Sequence, residues 1–307
     1  MKNGLLIITL ILIVKSLLGQ QFTDLYGDYF GQTPPGDTPM IFAPEIISKN
    51  TLEHSAAIFS SDGNEVYWVS RENQEARLTI WRMIKINNQW TKPEVFNPLG
   101  DSINHFDPFI TSNGEKIYFG ADTKGNTDIW FIEKQGINWN KPQRLNSSVN
   151  TLDGQCQASL TTDGTLYYLD HRTTNTNWTC DIVKSRFKNG EYLRSDTLPE
   201  CINSGASMDW TPFIAPDNSY LLFSSQRGQN YGDLYISFHD IHTDKWLEPI
   251  NLGEPINTGS QETFPAVSPD GRYLFFTRWT DEENDMDIYW VSTKFIDRLR
   301  KKSMAEK

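Results

Sequence analysis

Phe264-Pro265-Ala266-Val267-Ser268-Pro269-Asp270-Gly271-Arg272-Tyr273-Leu274-Phe275-Phe276 decides how the rest of the chain is read. Two apolar stretches flank a turn whose Asp-Gly pair tolerates the positive φ that tight hairpins require. The same turn signal stands at Ser61-Asp62-Gly63, Ser112-Asn113-Gly114, Thr162-Asp163-Gly164 and Pro216-Asp217-Asn218. From Asp62 through Asn113, Asp163 and Asp217 to Asp270 the spacings are 51, 50, 54 and 53 residues. Five copies at one period mark a repeat architecture. An aromatic-rich segment follows each turn, at 65–69, 116–120, 165–169, 220–224 and 273–277. A third segment opens with Asp128-Ile129-Trp130, Asp181-Ile182-Val183, Asp233-Leu234-Tyr235 or Asp287-Ile288-Tyr289; the first repeat has Thr79-Ile80-Trp81 instead.

A fourth segment carries an aromatic residue and a proline: Trp90 with Pro93, Trp139 with Pro142, Trp246 with Pro249, and Tyr192 alone in the third repeat. Proline cannot donate within a sheet, so this strand is expected at the outer edge. About 50 residues arranged as four short antiparallel strands make a propeller blade. The expectation is an all-β, five-bladed β-propeller with blades near 54–98, 105–147, 155–200, 209–252 and 262–292. The fifth copy stops before its fourth strand, and residues 40–47 resemble 89–96, with Pro44 in the place of Pro93. An N-terminal strand over 40–47 is therefore expected to complete the last blade, close the ring and hide two sheet edges.

The run of Pro-Asp-Gly turn, aromatic strand and Asp-Ile-Tyr resembles the repeat of TolB-type, WD-like β-propellers. The resemblance covers roughly residues 40 to 292, although Ala57 and Ala158 stand in the first and third copies where the others have the inner-strand prolines Pro108, Pro212 and Pro265. It implies the fold. It leaves activity open, because such propellers serve as docking platforms, periplasmic scaffolds and enzyme domains alike.

Residues 1–19 combine Lys2, an apolar run over 5–14 and a small residue at Gly19, the pattern of a secretory signal peptide. The run is short of the roughly 20 residues that span a bilayer, and Lys15 interrupts it. Cleavage would take the net charge from −11 to −13. A secreted or periplasmic, soluble, monomeric protein without a membrane span is expected. The acidic balance, with a pI near 5.0, argues against a nucleic-acid partner. Residues 20–39, with Gly27, Gly31, Pro34, Pro35, Gly36 and Pro39, read as an irregular Pro/Gly-rich arm. Residues 293–307 read as a basic tail, a short solvated helix that frays.

Eight residues before each turn Asp or Asn stand His54, His105, Gln155, Asp209 and Glu262. Placed where each innermost strand begins, they would gather at one mouth of the central channel. Such N and O donors suit a divalent cation, or else hydrogen-bond the neighbouring loops. The recurrent Asp128, Asp181, Asp233 and Asp287 read as structural, capping turns or pairing with Arg71, Arg172, Arg227 and Arg278. Catalysis needs an asymmetric set of groups instead. Trp178, Trp210 and Trp279 fall near the same end, where they would stack on sugars or pack between blades. Cys156, Cys180 and Cys201 belong to one neighbourhood, and Cys180 with Cys201 is the expected disulfide.

No phosphate loop, nucleophile elbow or zinc-protease helix occurs in the sequence. The favoured function is a binding module that recognises a protein or glycan ligand through one face of the ring. The alternative is a glycan-active enzyme. It would draw on Asp107, Asp209 and Glu262, since glycoside cleavage needs two carboxyl groups about 5–10 Å apart.

Overall fold

The computed structural model describes residues 25–305, apart from 124, 137, 174–177, 206–207, 229–231 and 281–284; the side chains of 172, 173, 178, 179, 304 and 305 also fall outside the description. The leader expected at 1–19 lies outside the described residues. The fold is all-β, with one C-terminal helix over Lys294–Ala305 and a short 3-10 turn at Asp28–Gly31.

The repeated turns form for a common reason. The Oδ1 of Asp62, Asn113, Asp163, Asp217 and Asp270 accepts the backbone N–H two residues on, at 3.0 Å each time. In four of the five, a Ser or Thr two residues earlier (Ser60, Thr111, Thr161, Ser268) donates its hydroxyl to the same carboxylate or amide. The next position takes φ of 60–85°, held by Gly63, Gly114, Gly164 and Gly271 and by Asn218 in the fourth turn.

Each turn joins an inner strand to a middle strand. Middle strands Glu65–Arg71, Lys116–Thr123, Leu166–Thr173, Tyr220–Ser225 and Tyr273–Thr280 pair antiparallel with third strands Thr79–Ile86, Asn126–Gln135, Trp178–Ser185, Asp233–Asp240 and Asp285–Ser292. The fourth segment divides in two. A Trp hairpin forms at Gln89–Trp90, Asn138–Trp139 and Lys245–Trp246, the proline breaks it, and a two-residue edge strand follows. Those edge strands are Glu94–Val95, Gln143–Arg144 and Ile250–Asn251. Met40–Ile41 takes the corresponding place on the last third strand, Met40 opposite Trp290 and Ile41 opposite Tyr289.

An amide clamps three of the connections to the next unit. Asn150, Asn203 and Asn257 each accept the backbone N–H of Ile129, Ile182 or Leu234 and donate to the same residue's carbonyl, at 2.8–2.9 Å. Ser48 does the same for Ile288, at 3.1 and 3.5 Å. The N-terminal segment thus continues the last unit in its clamp as well as in its edge strand.

One terminal expectation is extended and one is corrected. The arm is a wedge and contributes to the core. Leu25, Tyr29 and Phe30 are buried with Phe42, Phe59, Trp90, Phe275 and Trp290. Phe30 stacks on Phe42 at 5.5 Å and meets Trp90 edge-on at 4.7 Å, while Tyr29 donates its hydroxyl to Asp270 at 3.1 Å. The Trp90 indole N–H and backbone N–H bond Gly27 and Leu25 carbonyls at 2.8 and 3.0 Å, so the arm lies along the first unit's Trp hairpin. Glycine and proline density disguises three apolar anchors there. The basic tail, likewise, is a docked helix. Phe295 and Ile296 are buried against Phe238, Leu274 and Val291, and Arg300 stacks on Phe238 at 5.2 Å. Its apolar stripe outweighs the charge that suggested fraying.

Candidate functional site

The channel is built by a repeated backbone defect. Two residues after His105, Gln155, Asp209 and Glu262 on four inner strands, Asp107, Gln157, Thr211 and Phe264 adopt φ of 49–58°. Each sits where the ladder to the middle strand slips, making a β-bulge. Three are followed by Pro108, Pro212 and Pro265, which cannot donate to the ladder. The bulge residues bridge neighbouring units: Gln157 Oε1 accepts the Thr211 backbone N–H at 2.8 Å. With Ser55, Ala56, Phe109 and Phe213 they line a constriction of about 50 Å³, space for a few water molecules. Toward the turns it widens into an apolar funnel of about 350 Å³ lined by Ile58, Phe109, Ile110, Phe213 and Val267. Burial pushes the Asp107 carboxyl up to about 7, with the Asp122 charge adding to the shift.

The five polar positions predicted at the channel mouth are engaged locally. Asp209 accepts the Ser204 N–H at 2.8 Å and pairs with Arg227 at 2.7 Å. Glu262 accepts the Thr258 hydroxyl at 2.7 Å and pairs with Arg278 at 2.8 Å. Burial raises the Glu262 carboxyl against these contacts, which lower it. Gln155 accepts the Thr151 N–H and donates to Asp170, both at 2.7 Å. His105 accepts the Leu99 N–H at 3.2 Å and faces the Ile103 carbonyl at 3.0 Å. All four side chains are buried. His54 lies half-buried against Phe264 at 5.0 Å, and burial beside Arg71 lowers its pKa to about 4, so it is neutral at physiological pH.

In the first unit the equivalent of these four is Glu53. It faces Ser70, as Asp209 faces Ser225 and Glu262 faces Arg278. The segment from Glu53 to Asp62 holds one extra residue, and counting eight back from the turn therefore lands on His54. The clamp supplies the missing signal, since Ser48 precedes Glu53 by five residues, as Asn150 precedes Gln155 and Asn257 precedes Glu262. Glu53 is fully buried, and burial pushes its carboxyl up to about 9, with Asp287 and Asp285 adding and the Thr51 hydroxyl opposing.

Arg227 and Arg278 serve the first-strand carboxylates Asp209 and Glu262. Asp128 takes its arginine from the outer edge instead, Arg144 bonding both carboxylate oxygens at 2.7 Å, and Asp233 accepts the Asn251 amide at 2.7 Å. Trp210 is buried and Trp279 half-buried, and the Trp178 side chain lies outside the described residues. The Cys180–Cys201 disulfide is corrected: all three thiols are free. Cys180 sits with Cys156 and Trp210 in one apolar cluster, whereas Cys201 packs against another around Leu198 and Trp246. Burial raises the Cys180 thiol to about 11 and raises the other two as well, so none is an activated thiolate.

Repeated four-strand units around a lined channel define the class as a β-propeller. Comparison with solved structures places the chain there. The putative TolB of Agrobacterium tumefaciens superposes with a TM-score of 0.54 at 14% identity, over 80% of this chain and 78% of that one. The hydrazine synthase of Kuenenia stuttgartiensis gives 0.50 at 13%, over 76% of this chain and 36% of that one. TolB of Acinetobacter baumannii gives 0.48 at 14%, over 80% and 55%. No protein-family model matches the chain, and no curated protein sequence does. The fold is TolB-like; identity this low shows nothing beyond the fold.

Proposed function

We propose that the chain is a secreted or periplasmic, monomeric five-bladed propeller that binds a protein ligand through the apolar funnel at its turn face. One observation carries this reading. The polar groups at the inner-strand starts are engaged in loop hydrogen bonds and ion pairs, while the funnel presents half-buried Ile58, Phe109, Phe213 and Val267. Such a concave apolar surface suits an aromatic or aliphatic anchor from a partner loop. The leader-like residues 1–19 support export, and the clamp and edge strand at Met40–Ile41 support five blades in one closed ring.

The test is a peptide-display selection on the full mature chain, with Phe109→Asp as counter-selection. Enrichment of apolar-anchored peptides that bind the parent protein and not the folded variant supports the reading. Peptides that bind both equally, or none at all, would refute it.

A glycan-active reading rests on Asp107, whose raised carboxyl in the channel has the protonation state of a general acid. Against it, the constriction around Asp107 has only about 50 Å³ of free space, and Asp209 and Glu262 are held by arginines. Release of reducing sugar from a glycan panel, abolished by Asp107→Asn, would favour this reading over the first.

A further inference from the structure

Glu53 breaks the pattern set by its equivalents. Asp209 and Glu262 each receive an arginine from the end of the middle strand. In the first unit that arginine, Arg71, turns away to the carbonyl and side chain of Gln74. Glu53 keeps one hydrogen bond, from the Thr51 hydroxyl to Oε1. Its Oε2 is buried and has no hydrogen-bond partner. A buried carboxylate oxygen without a donor is costly unless something positive meets it.

What faces Glu53 instead is two more carboxylates. Leu52 pairs in parallel with Met286, so Asp285 and Asp287, which flank Met286 and share one face of their strand, are brought beside Glu53. One oxygen from each of the three lies within 4.8 Å of the other two. Among the described residues this is the one group of three His, Cys, Asp or Glu side chains so gathered. Oxygens sharing one calcium ion at roughly 2.4 Å stand at most about 4.8 Å apart. The cluster also borders a cleft of about 590 Å³ lined by Asn50, Thr51, Glu72, Asn73 and Glu75, which gives an ion access and further oxygen donors.

We propose that Glu53, Asp285 and Asp287 hold a divalent cation, calcium in preference to softer metals, at the seam where the first and last units meet. All-oxygen, triply acidic donor sets select hard cations. The ion would tie residue 53 to residues 285–287 across the closing edge, and its binding would therefore be read as stability.

Thermal melts and isothermal titration of the full mature chain with calcium, magnesium or manganese chloride, against EDTA, test this. Sodium chloride of matched ionic strength separates binding from screening. At calcium about 100-fold above its Kd, the melting temperature should rise by roughly 5–10 °C. Glu53→Gln should keep the EDTA melting temperature and lose the rise, since the amide fills the same space. If that variant fails to fold, the half-buried Asp285→Asn should bind at least about tenfold more weakly with its EDTA melt unchanged. No heat and no rise up to 10 mM of any of the three ions would overturn the proposal. So would a full calcium response in both variants.

Discussion

Phe30→Ala tests whether the N-terminal arm is part of the core. Phe30 is 3% exposed, stacked on Phe42 and edge-on to Trp90, so it touches the segment that completes the last unit and the Trp hairpin of the first. Truncating a buried phenylalanine to alanine costs about 3–5 kcal/mol, because transfer and cavity terms add. For a domain of this size each kcal/mol moves the midpoint by about 2–4 °C, so the variant should melt roughly 6–20 °C lower. Tyr26→Ala is the control: Tyr26 is 49% exposed and its loss should stay within about 0.5 kcal/mol. Deleting the arm up to residue 38 removes Leu25 and Tyr29 as well and should approach the whole stability of the domain, about 5–15 kcal/mol. Differential scanning calorimetry of the three proteins is the assay. A Phe30→Ala midpoint within 2 °C of the parent would refute the wedge.

Three more outcomes follow from the site. Asp107 titrates near 7 when folded and near 3.8 when unfolded, so between those values the native state binds more protons and stability falls as pH rises. Asp107→Asn should therefore be neutral below about pH 4 and stabilising above pH 7, by at most about 4 kcal/mol, less the share solvated by channel water; urea midpoints at pH 4 and 8 that shift equally would contradict this. Arg227→Met leaves Asp209 buried without its cation and should cost about 3–5 kcal/mol, whereas Arg82→Met at the exposed Glu94 pair should cost under about 1 kcal/mol; comparable losses in denaturant melts would show that Asp209 does not depend on its arginine. Mass spectrometry after alkylation of the unfolded, unreduced chain should find three modified cysteines, and reducing agent should leave the melt unchanged; a cysteine-linked peptide pair would restore the disulfide.

What the sequence made legible is what repeats. The turn is written in residue types that few other structures need, and Asp62, Asn113, Asp163, Asp217 and Asp270 place every hairpin. Departures from the repeat were harder to read. One inserted residue in the first inner strand moved the reading from Glu53 to His54, because counting from one landmark cannot detect an insertion and two landmarks are needed. Leu25, Tyr29 and Phe30 escape a local reading because their apolar partners lie on other segments, from Phe42 and Trp90 to Tyr273 and Trp290, and no local pattern records such contacts. Neighbouring strands do not imply neighbouring thiols, and Cys180 and Cys201 turn into separate clusters. The bulges at Asp107, Gln157, Thr211 and Phe264 carry a sequence signal in the proline that follows three of them, which cannot donate to the ladder.

The pairing of Met40 with Trp290 spans 250 residues of chain, and it sets the order in which the molecule is made. At roughly 5–20 residues per second, the segment that emerges first waits about 10–50 s for its partner strand to be synthesised. Until then Tyr29 and Phe42 lack the cover of Phe275 and Trp290, and contacts this distant in sequence form late in folding. The nascent protein thus carries an apolar, strand-forming segment near its front end through nearly the whole of its synthesis, the condition under which holding chaperones bind. Circular permutation that joins the two ends by a short linker and opens the chain between units would make that pairing local; it should speed refolding and reduce aggregation while leaving the finished fold the same.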